Sequence, residues 1–90
     1  MPKYVIERDL PGAGSLSDGE LHSIAARSNK VLAEMAPRAQ WQQSYVTADK
    51  LYCVYLAEDE ATIREHADRG GFPAGAVSQV SSVIDPTTGE

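Results

Sequence analysis

The chain has one cysteine, one tryptophan, one phenylalanine and no long apolar run among its 90 residues. A single cysteine, Cys53, excludes an internal disulfide and agrees with a cytosolic location. No segment nears the ~18–20 consecutive apolar residues that a membrane span requires. The opening MPKYVIERD mixes charge among its apolar residues and lacks the apolar core of a signal peptide. Basic residues are also scarce, eight against thirteen acidic ones, and the net charge of −5 disfavours a polyphosphate backbone. That argues against nucleic-acid binding. The phosphate-loop, nucleophile-elbow, zinc-protease and paired-cysteine motifs are all missing. What remains is an ordinary globular composition, 42% apolar and 23% charged. A chain of this length makes one domain and buries about 60% of its unfolded surface.

Order along the chain is more informative. Lys3 to Asp9 is rich in β-branched and aromatic side chains and stops at the turn Pro11-Gly12-Ala13-Gly14, which predicts a strand. Ser17 and Glu20 have the spacing of a capping box. Leu21, Ile24, Ala25, Ser28, Val31, Leu32 and Met35 then recur at helical intervals up to Pro37. Trp41–Thr47 and Lys50–Leu56 read as a hairpin around Ala48-Asp49, pairing Tyr45 with Tyr52, Ser44 with Cys53 and Trp41 with Leu56. On that register one face carries Trp41, Tyr45, Tyr52, Val54 and Leu56, and the other carries Val46, Leu51, Cys53 and Tyr55. Asp59 caps a second helix that ends at Gly70-Gly71 before Pro73. Val77–Ile84 reads as a last strand, and residues 85–90 as a frayed tail.

The order β-α-β-β-α-β is that of an α+β, ferredoxin-like domain spanning residues 1–90, with a four-stranded antiparallel sheet and both helices on one face. The other face is left open. Its large apolar groups make it a natural surface for a homodimer.

The same topology directs both histidines and three carboxylates to one end of the domain. Glu7 and Asp9 close the first strand, His22 lies near the start of the first helix, Asp49 sits in the hairpin loop, and His66 is in the second helix. Imidazole with carboxylate suits a borderline divalent ion such as nickel, zinc or copper. His66 borders the buried stripe of its helix, where its rotamers are restricted, and is the expected pivotal ligand. Each residue also has an ordinary alternative: His22 pairs with Asp18, Asp49 forms a turn, and Cys53 packs in the core.

Several stretches carry a family resemblance: Tyr4–Gly12, Ser44–Thr47, Asp49-Lys50, Tyr52–Tyr55, Ile63–Ala67, Gly70–Pro73 and Ile84–Thr88. Together they resemble a family of small bacterial ferredoxin-like proteins long labelled a domain of unknown function, whose characterised type is a dimeric actinobacterial nickel-binding protein. The resemblance implies a dimer and a divalent-metal site, with nickel the leading ion. Among the candidate ligands, Glu7, Asp9, Asp49, Cys53 and His66 fall within the matching stretches, and His22 falls outside them.

The leading expectation is therefore a cytoplasmic, dimeric, metal-binding protein for storage, buffering or sensing, with no membrane or nucleic-acid partner. The alternative is an enzyme of the dimeric α+β barrel type, holding a small organic substrate or haem in a cavity over the open sheet face. A third is an interaction module whose dimer is its function. No nucleophile and base pair favours catalysis.

Overall fold

The computed structural model describes all 90 residues. Its strands are β1 (Lys3–Asp9), β2 (Ala39–Val46), β3 (Lys50–Ala57) and β4 (Val77–Gln79), and its helices are α1 (Asp18–Met35) and α2 (Glu60–Gly70). The strands form one antiparallel sheet in the order β2-β3-β1-β4. That is the ferredoxin-like, α+β arrangement expected from the sequence.

Local chemistry accounts for the element ends. Ser17 accepts from Glu20 N while the Glu20 carboxylate accepts from Ser17 N, a complete capping box at the start of α1. Asp59 accepts from the backbone and hydroxyl of Thr62 at the start of α2. Gly71 closes α2 in the left-handed region at φ 68°, where a side chain would be strained.

Strand periodicity sorts the side chains between two faces. Tyr4, Ile6 and Arg8 of β1 and Leu51, Cys53, Tyr55 and Ala57 of β3 are buried beneath the helices. Ile63 and Ala67 of α2 and Val31 and Met35 of α1 are buried as well. Val5, Glu7, Tyr52, Val54 and Leu56 alternate onto the opposite, uncovered face.

The hairpin departs from the expected register at one place. Ser44 pairs with Cys53 and Tyr45 with Tyr52 as anticipated, but a β-bulge between Trp41 and Gln43 shifts the rest, so Trp41 pairs with Tyr55. One extra residue moves a side chain across the sheet. Trp41 thus stacks near Tyr55 on the helix side, with ring centroids 6.4 Å apart, instead of joining the open face.

The last strand is also shorter than the sequence pattern. Val77–Gln79 pair with β1, Val80 N donates to Lys3 O, and pairing then stops. The serine-rich continuation leaves Val83 and Ile84 exposed, at 73% and 78%. Residues 86–89 form a single 3-10 turn capped by Asp85. No helix is long and apolar enough to cross a membrane.

Candidate functional site

The six expected ligands divide between the two sides of the sheet. Glu7 and Asp9 lie on the uncovered side, where Lys50 Nζ stands 3.6 Å from Glu7 and 3.8 Å from Asp9. Asp49 follows at the hairpin loop and accepts from Gly12 N at 3.0 Å, while its backbone carbonyl accepts from Leu10 N. Gly14 N donates to Ala48 O, which holds the entry to α1 against the same loop. His22 is exposed early in α1. Glu7 and Asp9 thus stand beside Lys50, Asp49 beside Gly12 at the hairpin loop, and His22 is exposed on the first turns of α1.

Cys53 and His66 belong to the other side. Cys53 is buried on the helix face of β3. His66 is 1% exposed, and its Nε2 shares a 3.2 Å hydrogen bond with Ser28 Oγ of α1. Its ring lies between Tyr55 and Phe72, with centroids 5.2 and 5.3 Å away. The segment after α2 does return to β1, through Glu7 N donating to Ala76 O and Gly75 N donating to Glu7 O. The sheet nevertheless stands between His66 and the carboxylates of Glu7 and Asp9. His66 therefore does not join Glu7 and Asp9 in one site within the subunit. Chain order fixes the end of the domain, and side-chain parity along β1 fixes the face.

The fit to a metal ion follows from this placement. No three His, Cys, Asp or Glu side chains of one chain stand close enough together to hold an ion. His66 has a cationic neighbour instead of an anionic one. Burial, and then the Arg8 guanidinium, lower its pKa from 6.5 to about 4, so the imidazole is neutral at pH 7. Its Nδ1 is buried without a partner. A single subunit does not supply a three-donor site.

The helix side contains an apolar cavity of about 220 Å³ between α1 and the hairpin. Leu21 and Ile24 of α1 face Trp41, Val46 and Leu51 across it. Arg8 stands in its wall and is 3% exposed. Arg8 Nη1 donates to Pro73 O at 2.7 Å, and Nη2 is buried with no partner. Two cations stand near the Phe72 ring, the Arg27 guanidinium 4.7 Å and that of Arg8 5.6 Å from its centroid. Tyr55 also lines the cavity, and burial raises its pKa despite the nearby Ser28 and Arg8. The one signal available in the sequence was parity: Arg8 falls on the same face of β1 as Tyr4 and Ile6.

A cavity over the open sheet face was the expected feature of an α+β barrel-type enzyme. The cavity lies on the opposite side, because the bulge turns Trp41 inward and the small residues Ala25 and Ser28 of α1 leave space above Cys53.

Comparison with known proteins adds the family. The chain belongs to the nickel-responsive, SCO4226-like family, whose profile matches residues 4–80. The fold resembles that of the crystal structure of SCO4226 from Streptomyces coelicolor A3(2), with a TM-score of 0.76 and 14% sequence identity. That alignment covers 91% of this chain and 99% of the other. No curated protein matches the sequence.

Proposed function

We propose that this protein binds nickel as a homodimer in the cytoplasm, holding the ion for storage, buffering or sensing and not for turnover. The family's nickel-responsive description supports the ion. One observation carries the rest: Glu7 and Asp9 lie at the rim of an uncovered apolar sheet face, His22 is exposed on α1 across the sheet edge, and one subunit alone holds no three-donor set. Glu7, Asp9, Asp49 and His22 are the four that solvent reaches. A two-fold axis near this end doubles each of them, and His22 adds the imidazole that suits nickel better than oxygen alone. The Lys50 contacts to Glu7 and Asp9 are long and exposed, so an arriving dication displaces them at little cost. His66 and Cys53 stay beneath the sheet, out of the ion's reach.

Two features support the dimer. Val5, Tyr52, Val54 and Leu56 make an apolar strip on the uncovered face, and Val83 and Ile84 project from the C-terminal segment with nothing of their own chain to cover them. A second copy buries both. Sedimentation is expected to show the dimer at micromolar concentration. Val54→Glu places a charge at the centre of the strip without touching the core and is expected to give a folded monomer. A wild-type protein sedimenting at the 9.7 kDa chain mass contradicts the reading.

The ligand assignment is tested by calorimetric titration with nickel. Glu7→Gln combined with Asp9→Asn is expected to weaken binding at least about tenfold, the factor that corresponds to roughly 1.4 kcal/mol. His22→Ala is expected to weaken it as well, and His66→Gln to leave it unchanged. Loss of binding in His66→Gln with the acidic pair neutral in effect moves the site beneath the sheet.

A further inference from the structure

A guanidinium remains charged at any pH a protein survives, and burying it without a partner is costly. Arg8 is 3% exposed and makes no ion pair. Its one hydrogen bond goes to a neutral carbonyl, Pro73 O, and Nη2 has none. Its second contact is the Phe72 ring, whose centroid is 5.6 Å from its guanidinium and 4.7 Å from that of Arg27. Arg8 is thus the one charged side chain in the wall of a cavity that is otherwise mostly apolar.

We propose that this cavity is a binding site for a small organic monocarboxylate, its carboxylate paired with Arg8 and its apolar body packed among Leu21, Ile24, Trp41 and Leu51. The carboxylate supplies the anion that the chain itself withholds from Arg8 and gives Nη2 an acceptor. The Tyr55 hydroxyl and Ser28 Oγ lie along the same wall and provide donors for the second oxygen. The volume sets the size of the body. About 220 Å³ is below the usual ~300–1,000 Å³ of drug-sized sites. An apolar cavity of about 150 Å³ is enough for a benzene ring, so a ring or short chain bearing one carboxylate fills this one. The lining is too apolar for a free inorganic anion and too charged at Arg8 for a hydrocarbon. This site is independent of the nickel reading, because the sheet separates it from Glu7 and Asp9.

Trp41 is the single tryptophan of the chain and lines the cavity, so its fluorescence reports occupancy directly. The metal-free protein is titrated with phenylacetate and, in parallel, with its neutral counterpart 2-phenylethanol and with inorganic phosphate. Phenylacetate is expected to change Trp41 emission saturably and to bind at least about tenfold more tightly than the alcohol, with no response to phosphate. Arg8→Met keeps the stem and removes the charge. It is expected to lose that preference, binding acid and alcohol alike. Equal wild-type affinity for acid and alcohol, a response to phosphate, no response to phenylacetate at 10 mM, or an unchanged preference in Arg8→Met each overturns the proposal. Should Arg8→Met not fold, the wild-type comparison of acid with alcohol decides alone.

Discussion

Between pH 7 and pH 5 the folded state is expected to lose about 2 kcal/mol of stability, through one buried side chain. His66 has its pKa lowered to about 4 in the folded protein by burial and by Arg8, against 6.5 when unfolded. As pH falls below 6.5 the unfolded chain takes up a proton that the folded chain refuses until near pH 4. Stability from this group is thus complete above pH 6.5 and declines down to about pH 4. The acidic groups act in a lower window. Two N–H donors of Arg38, at 2.8 Å each, hold Glu65 at a pKa of about 2, so its contribution fades only below pH 4.5. Asp59 and Asp85 are likewise lowered from 3.8 by hydrogen bonds to Thr62 and to Thr87 and Thr88. Urea unfolding at the two pH values measures the difference. His66→Gln retains a partner for Ser28 and removes the titration, so most of the loss should vanish in it. Exposed His22→Gln should keep it. A wild-type protein equally stable at pH 7 and pH 5 shows that His66 is not buried neutral.

Replacing Ile6 with alanine should cost about 2–5 kcal/mol, the usual range for emptying a fully buried aliphatic site. Ile6 is 0% exposed, faces Cys53 across β3 and Val77 across β4, and stands between Tyr4 and Arg8 on the helix side of the central strand. Its neighbours are strand residues fixed by backbone pairing on both sides, so the site has little room to collapse. A domain of this size has a total of about 5–10 kcal/mol, which makes this one truncation a large fraction of it. Equilibrium denaturation of Ile6→Ala measures the loss. A cost below about 1 kcal/mol means that the sheet relaxes into the gap.

The elements were legible because each carried its own punctuation. Ser17 with Glu20 started α1, Asp59 and Gly71 bounded α2, and the Ala48-Asp49 loop set the register of the nearer half of the hairpin. Trp41 was misplaced because a bulge leaves no local mark in a run such as Trp41-Gln42-Gln43. The last strand was overextended because Ser81 and Ser82 alternate acceptably with Val80 and Val83, while β1 ends its pairing at Lys3. For the site, chain order directs Glu7, Asp9, His22 and Asp49 toward one end. It did not separate them from His66, since only side-chain parity along β1 decides the face. The same parity puts Arg8 in line with Tyr4 and Ile6, a signal of burial that the sequence reading did not use. Its missing partner is a tertiary fact, and no pattern within β1 encodes it.

If two copies hold the nickel together, affinity depends on assembly, and both are measured on the same samples. Protein purified without a polyhistidine tag is sedimented and titrated with nickel as wild type and as monomeric Val54→Glu. The expected wild-type species has twice the 9.7 kDa chain mass and binds nickel in a fixed ratio. The folded monomer is expected to bind at least about tenfold more weakly, a loss of roughly 1.4 kcal/mol. A Val54→Glu monomer that binds nickel as tightly as the wild-type dimer contradicts a site held by two copies.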